Sequence, residues 1–204
     1  LAKLRDPIIS VGNQQLLFEA FSSCNSVYAR VSLHNEVLDG EFIKSGCTNI
    51  DFNDATVRAF NAVTASEQMI LGVGQKQTHF ITDKHKTVEK KVTLPNRWIK
   101  GLGNVQVYLS EMELAYRLNK AEAIQLFRSL PKQAVKTDYY LVKRGVSYAF
   151  APTPTAGAIK IGGAHRLNLL QGLLLLADSL FIYRNPSEQT VAFVLNFKGV
   201  EMLF

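Results

Sequence analysis

The chain has 204 residues, of which 47% are hydrophobic and 20% are charged, an ordinary globular composition that excludes a disordered or low-complexity chain. Its length fits one elongated domain or two small ones. Lysine and arginine outnumber acidic residues by 23 to 17, and the net charge of +6 is compatible with an anionic partner without being a nucleic-acid signature by itself.

The first part of the sequence predicts a hairpin followed by one helix and a meander of strands. Apolar, β-forming runs at 15–21 and 27–33 flank a polar turn and predict the hairpin. A strand at 47–52 leads to Asn53, a typical N-cap for a helix over 54–64. Three short strands are predicted next, at 68–73, 77–81 and 87–94, before Pro95.

The segment 96–112 carries two conflicting patterns. Val105 and Val107 alternate like a strand, and Gly101 and Gly103 would each weaken a helix by about 1 kcal/mol. Against this, five apolar residues step by four and three positions, which is the spacing of one helix face. We therefore predict a helix, whose apolar stripe is Trp98, Leu102, Val105, Leu109 and Met112.

The order of strand, helix and strands then returns twice. A strand at 113–118 precedes Asn119, which can cap a helix over 120–130. A strand at 158–161 and the pair Gly162-Gly163 precede a third helix, predicted from 164 to about 177. The remaining predicted strands are 138–142, 146–150, 180–183, 190–196 and 200–204.

These elements form three units, each with a strand, a helix and two or three antiparallel strands. Such units predict an α+β fold with the helices on one face of antiparallel sheets. We assign 1–95 to a first α+β unit with its N-terminal hairpin, and 96–204 to two further units packed as one domain. The chain starts at Leu1 without Met and stops at Phe204 inside a predicted strand, so we interpret it as a segment of a longer protein.

Four short stretches are more specific than the pattern of elements. They are 23–30 (SCNSVYAR), 48–53 (TNIDFN), 94–102 (LPNRWIKGL) and 126–131 (LFRSLP). Their order and spacing resemble the region N-terminal to the zinc finger in bacterial SWIM zinc-finger proteins. The resemblance implies AAA-type ATPases and von Willebrand A-domain proteins as partners, and a Cys-x-Cys and Cys-x-His zinc site nearer the C-terminus. Cys24 and Cys47 form neither motif, so no cofactor or metal is expected in this segment.

A second resemblance is topological. The segment 28–94 runs strand, connection, strand, helix and three strands, and so resembles half a domain of the DNA sliding-clamp fold. Sliding clamps line a central hole with basic helices. The predicted helices of the three units carry few cations, namely Arg58, Lys120, Arg128 and Arg166, so a role in encircling DNA is not implied by their charge.

No residue set in the sequence forms a catalytic motif. Nucleophilic catalysis would need a cysteine beside a histidine, and the four histidines are spread through the chain. Asp51 and Asp54 can bind a cation, although capping of the first helix explains them more simply. The glycine pairs lack the context of a phosphate-binding fingerprint. We predict a non-enzymatic interaction module. The histidines are His34, His79, His85 and His165.

Two groups of residues are candidate binding sites. The first, which we call the basic strip, is the predicted surface for a protein partner or for DNA or RNA. Trp98 lies within it and is either a core anchor or a base-stacking residue. The second group, at the start of the third helix, either binds an anion or forms a tight loop. The basic strip is Lys84, Lys86, Lys90, Lys91, Arg97 and Lys100, and the second group is Gly163, His165 and Arg166.

The sequence also predicts a location. Its longest strongly apolar stretch, 167–176, is shorter than the roughly 20 residues that span a bilayer, and no secretory signal pattern is present. Two cysteines at unrelated positions are typical of free thiols in a reducing compartment. We predict a cytoplasmic protein without a membrane partner.

Overall fold

The computed structural model describes residues 7–12, 14–40, 44–187 and 189–204. The fold is α+β with antiparallel sheets, as predicted. The chain divides into two compact units, Leu1–Asn104 and Val105–Phe204, while the assigned domains 1–95 and 96–204 stay a prediction. Among the described residues, no helix has the length and hydropathy that crossing a bilayer requires.

Four strands of the first unit lie in the order β4-β1-β2-β3. The predicted hairpin is confirmed, with β2 paired to β3 from Gln15 opposite His34 to Phe21 opposite Tyr28. The strand β1 was not predicted, and it pairs with both β2 and β4. The bounds are β1 Ile8–Gly12, β2 Gln15–Phe21, β3 Tyr28–His34 and β4 Gly46–Asn49.

The first helix, α1, spans Asp54–Ala62 and begins at the predicted cap. Asn53 Oδ1 accepts a hydrogen bond from the backbone N–H of Thr56 at 2.9 Å. A buried carboxylate holds the cap in turn, because Glu89 accepts from the backbone N–H of Asn53 at 2.9 Å and from its Nδ2 at 3.2 Å. The start of α1 is therefore fixed by both local and tertiary hydrogen bonds.

A separate three-stranded antiparallel sheet in the order β5-β6-β7 completes the first unit. Its inner face meets α1 through a cluster of aromatic rings, with 4.8 Å between the ring centroids of Phe60 and Phe80 and 5.5 Å between those of Phe52 and Phe80. Burial of this cluster holds the sheet against the helix. The strands are β5 Met69–Val73, β6 Gln77–Thr82 and β7 Lys86–Lys90.

The ambiguous segment is a helix, α2, over Asn96–Ser110. Trp98 is 2% exposed and its ring centroid lies 5.6 Å from that of Phe21 on β2, so the core-anchor alternative is the one that the structure shows. A Cβ added at Gly101 would lie 2.9 Å from the Phe21 ring. Gly101 lowers the local helix propensity, but its lack of a side chain allows α2 to pack against Phe21.

The second unit begins with β8 and α3. The junction is a capping box in which Asn119 Oδ1 accepts from the N–H of Glu122 at 3.0 Å and the Glu122 carboxylate accepts from the N–H of Asn119 at 2.8 Å. Its strands lie in two groups, in the orders β14-β13-β12-β8 and β10-β9-β11. The elements are β8 Glu113–Asn119, α3 Lys120–Phe127, β9 Tyr139–Arg144, β10 Ser147–Ala151, β11 Ile159–Ile161, β12 Ser179–Asn185, β13 Thr190–Phe197 and β14 Val200–Leu203.

The predicted third helix over 164–177 is wrong. The chain forms a 3-10 helix over Ala164–Leu170 and then a short α-helix, α4, over Gln171–Leu174. Side-chain amides compete with regular helical bonding here, since Asn168 Nδ2 donates to the carbonyls of His165 and Pro131, each at 2.8 Å. Apolar spacing alone did not reveal this competition.

A buried polar network lies within the strands of the first unit. Glu19 is 7% exposed, accepts a hydrogen bond from the hydroxyl of Tyr28, and accepts a second from Ser10 Oγ at 3.3 Å. Burial, followed by the hydrogen bond and the charge of Glu19, raises the pKa of Tyr28 well above its usual range. The folded protein therefore holds the phenol in its protonated form.

This network predicts a loss of stability in alkali. A folded-state pKa above the unfolded value of about 10 means that the contribution of Tyr28 is complete below pH of about 10 and declines as the pH rises further. Urea unfolding at pH of about 8 and of about 11 should therefore show a smaller drop in the free energy of unfolding for Tyr28→Phe than for the parent chain. Parallel drops in the two proteins would contradict this prediction.

Candidate partner-binding surface

The outer face of the β5-β6-β7 sheet carries two lysines of the basic strip. Along β7, Thr87 and Glu89 point inward, while Lys86, Val88 and Lys90 are exposed. This alternation is the two-residue period of a strand. The inward Glu89 binds Asn53, the N-cap of α1. Because side chains alternate along a strand, this contact also fixes the outward direction of Lys86 and Lys90.

The register of the sheet arranges this outer face in three rows. Val88 lies opposite His79 on β6, and His79 lies opposite Gly72 on β5. Directly paired residues bring their side chains within contact distance on the same face. The full rows, from β5 to β7, are Ile70–Ile81–Lys86, Gly72–His79–Val88 and Gly74–Gln77–Lys90.

Lys84 differs from the other members of the basic strip because it is paired. It lies between β6 and β7, and its Nζ is 2.8 Å from Oε1 of Glu67. The hydrogen bond to Lys84 lowers the pKa of Glu67, and the same bond raises the pKa of Lys84. Most of the charge of Lys84 is therefore compensated locally, which makes it the weakest candidate for an external partner.

The remaining cations continue from the end of β7 to the first turns of α2. Lys91 forms an isolated bridge with Ile50, and Arg97 and Lys100 are both exposed on the helix. Among the residues that the structure describes, no carboxylate lies within the 4.0 Å ion-pair distance of these three side chains or of Lys86 and Lys90. Their charge is therefore available to a partner.

One further cation belongs to this surface and was not singled out from the sequence. Lys76 lies in the turn between β5 and β6, and its carbonyl accepts the backbone N–H of Lys91 at 3.0 Å. The pairing of Gln77 with Lys90 brings this turn beside the end of β7. Only the strand register shows that Lys76, Lys90 and Lys91 are neighbours.

An open groove of about 630 Å³ lies at this end of the sheet. Gly72 contributes to its floor, and the nearest atom to a Cβ added there is His79 Cβ at 3.7 Å. Gln77 Nε2 and His79 Nε2 lie 3.0 Å apart along one side. The groove therefore combines hydrogen-bonding groups with apolar surface, and its lining is Gly72, Val73, Gly74, Gln75, Lys76, Gln77 and His79.

The second candidate site lies at the start of the 3-10 helix in the second unit. Gly163 has φ of +65°, and the Arg166 side chain folds over it, with Nε 3.4 Å from the place of a Cβ. The carbonyl of His165 accepts a hydrogen bond from Asn168. The long α-helix that would have supplied a dipole to an anion is absent. The anion site stays a prediction.

The side chains considered for catalysis lie in separate settings. The sulfur of Cys24 contacts the hydroxyls of Ser22 at 3.4 Å and Ser26 at 3.0 Å, and Cys47 is exposed on β4. Within the described ranges, no three His, Cys, Asp or Glu side chains gather in a way that would hold a metal ion. The absence of enzymatic activity stays a prediction.

Comparison with known proteins relates the chain to others through its fold. No protein-family model and no curated protein sequence matches it, so the resemblance to SWIM zinc-finger proteins stays a prediction. Solved structures do match. One is a sliding clamp, the DNA polymerase III subunit beta of Bartonella birtlesii bound to griselimycin, with 11% identity and a TM-score of 0.58.

Two solved structures of the Caulobacter crescentus sliding clamp match with 9% and 10% identity and TM-scores of 0.56 and 0.55. Each of the three matches covers 100% of this chain and 57% of the clamp chain. The chain thus spans little more than half the length of these clamps. At such identities the matches show the fold alone, and the clamp-like topology expected from the sequence is confirmed.

Proposed function

We propose that this chain is a non-enzymatic interaction module that binds DNA or a protein partner through the basic strip. The observation that carries the proposal is the clamp-like fold, which extends over the whole chain. The Bartonella birtlesii clamp is named as a subunit of DNA polymerase III, and that name supports DNA or a DNA-associated protein as the partner. The uncompensated cations supply the attraction that either partner needs.

The proposal also includes the kind of protein to which the chain belongs, its partners and its compartment. We infer from the motif series that the chain belongs to a bacterial SWIM zinc-finger protein, with AAA-type ATPases or von Willebrand A-domain proteins as partners and with zinc bound outside this segment. The cytoplasm is the proposed compartment, and the low number of cysteines, two exposed residues at unrelated positions, supports it. The support for the family and its partners is the sequence motifs alone.

Direct binding to DNA or RNA is the second candidate function. It is favoured by the exposed lysines and by Arg97 in the first turn of α2. A backbone-binding surface releases one counterion for each phosphate that it neutralises, so its affinity falls steeply with salt. A protein partner that is recognised through apolar contacts would show a weaker dependence.

Charge reversal tests the basic strip. The triple variant Lys90→Glu, Lys91→Glu and Lys100→Glu should bind duplex DNA more weakly than the parent chain. The slope of log affinity against log salt concentration should fall by about one for each phosphate contact that is lost. Fluorescence anisotropy with labelled duplex across a series of salt concentrations measures both quantities.

A matched control reverses three exposed cations elsewhere, Lys120→Glu, Lys132→Glu and Lys143→Glu. It has the same net charge as the first variant, so a difference between the two identifies the surface. An equal loss in both variants would reject the basic strip as the site. If the parent chain binds neither duplex nor single strands at about 50 mM salt, the nucleic-acid candidate fails and the protein partner remains.

A further inference from the structure

The strand β5 is an open edge of the three-stranded sheet. Residues of an antiparallel pair alternate between hydrogen-bonded and non-bonded positions. The N–H of Gly74 donates to the carbonyl of Gln77 at 3.0 Å, which fixes the phase of this alternation. The backbone groups of Val73, Leu71 and Met69 therefore point away from β6, where no strand within the described residues pairs with them.

Within the described part of the chain, β5 lacks the charged and proline residues that keep a sheet edge from pairing. Natural edge strands are protected by charged side chains, proline, bulges or covering elements. β5 has none of those residue types, and Met69 and Ile70 are 44% and 59% exposed. The edge strand β10 in the second unit differs, because Ser129 Oγ accepts the backbone N–H of Phe150 at 2.7 Å.

The two sides of β5 differ in chemistry. On the inner side, Leu71 and Val73 pack against the core of the first unit, and Met69 on the same side is 44% exposed. On the outer side, Ile70 is exposed at the start of the strand, whereas Gly72 and Gly74 lack side chains and leave the groove open from the edge to β6. An added strand would therefore place apolar side chains inward and could lay polar ones across the glycines.

The charge around the groove is positive. The sequence from Met69 to Lys91 contains five lysines and two acidic residues, and one of the lysines, Lys84, is paired with Glu67. Of the two acids, Glu89 points inward and binds Asn53, which leaves Asp83 in the turn between β6 and β7. Lys76 and Lys90 flank the polar side of the groove, so the complementary side chain is a carboxylate.

We propose that the β5 edge binds an extended protein segment in which apolar and acidic residues alternate, by adding it as a fourth strand. The backbone of the segment hydrogen-bonds to Met69, Leu71 and Val73. Its apolar side chains continue the core, and its carboxylates lie over Gly72 and Gly74 toward Lys76 and Lys90. This assignment rests on the proposed role as an interaction module, but it does not require the basic strip to bind DNA.

The edge favours a peptide over a nucleic acid for a geometric reason. A row of alternating N–H and C=O groups matches the backbone of a strand, and pockets for alternate side chains then give specificity. The backbone of a nucleic acid has no alternating N–H and C=O groups. Proteins that stack on its bases use exposed aromatic rings. The aromatic residue of β6, Phe80, is 3% exposed and faces the core.

The test uses the chain as described and a labelled peptide of alternating valine and glutamate, of about eight residues, the length of an ordinary strand. We expect saturable binding by fluorescence anisotropy. Two peptides should bind at least about tenfold more weakly: one with lysine in place of glutamate, and one with the same composition in two blocks. A third peptide, N-methylated at alternate positions, cannot complete the ladder and should lose binding as well.

Gly72→Val tests the site on the protein side. Valine fits the strand, since its Cβ would make only ordinary contact with His79, but it fills the groove. We expect peptide binding to fall by about tenfold or more. The matched control is Gly46→Val on β4, where no atom of the described residues lies within 4 Å of an added Cβ, and its binding should equal that of the parent chain.

Three results would overturn the proposal. The first is equal binding of the peptide by the parent chain and Gly72→Val, and the second is equal binding of the N-methylated peptide. The third is self-association in sedimentation that Gly72→Val abolishes, without peptide binding, since a second copy would then occupy the edge. Gly72→Val leaves the charge unchanged, so failure here with salt-dependent DNA binding intact would reject this inference and not the proposed function.

Discussion

Replacing Trp98 by alanine should lower the free energy of unfolding by about 3–5 kcal/mol, the range for truncating a buried tryptophan. Trp98 is 2% exposed and packs on Phe21, so the substitution leaves a cavity between α2 and β2. Gly101 brings the helix into contact with the same ring, which leaves little freedom for the cavity to collapse. Chemical denaturation monitored by circular dichroism measures the loss.

A second variant, Trp98→Phe, separates the contribution of the aromatic ring from that of the indole N–H. Within the described residues, the indole N–H of Trp98 is buried without a hydrogen-bond partner, and phenylalanine removes that donor while keeping an aromatic ring. Its cost should be less than half that of alanine. If Trp98 instead stacked on bases, Trp98→Ala would keep its stability and lose nucleic-acid binding, and that result would reject its assignment to the core.

Replacing Glu89 by alanine should lower the free energy of unfolding by about 2–3 kcal/mol. Two hydrogen bonds from Asn53 to a buried carboxylate are lost, and the backbone N–H of Asn53 at the start of α1 loses its acceptor. The same change removes the anchor that turns Lys86 and Lys90 outward on β7. Urea denaturation measures the stability, and the DNA titration described above measures the effect on the surface.

Glu89→Gln separates hydrogen bonding from charge. The amide oxygen can still accept from the backbone of Asn53, so this variant should retain about half of the lost stability. Asn53→Ala should cost about 1 kcal/mol, the usual value for an N-cap. A loss below about 0.5 kcal/mol for Glu89→Ala would show that water replaces the carboxylate at the cap.

Local signals in the sequence were sufficient to predict the two helices that begin at an asparagine N-cap. Asn53 and Asn119 are residues whose side chains accept from the first turn, and both begin the helices that were predicted from them. The helix α2 was also predicted, because its apolar stripe outweighs two glycines. These predictions succeed where the deciding interactions lie within a few residues of one another.

Elements that depend on distant partners were harder to predict. The third helix was wrong because Asn168 bonds to Pro131, a contact that no local pattern contains. β1 was missed, and it is stabilised by pairing with β2 and β4 on both sides. In the candidate surface, the residue types of the basic strip were visible, whereas the pairing of Lys84 with Glu67 and the open edge at β5 follow from the tertiary fold.

The glycines of α2 illustrate how differently two neighbouring positions of one helix are constrained. The Phe21 ring leaves no room for a side chain at Gly101, whereas no atom lies within 4 Å of a Cβ at Gly103. Mutations that reach the first position are removed by a steric clash, while the second can drift to alanine and gain helix propensity. Purifying selection should therefore act strongly on the codon of Gly101 and only weakly on the codon of Gly103.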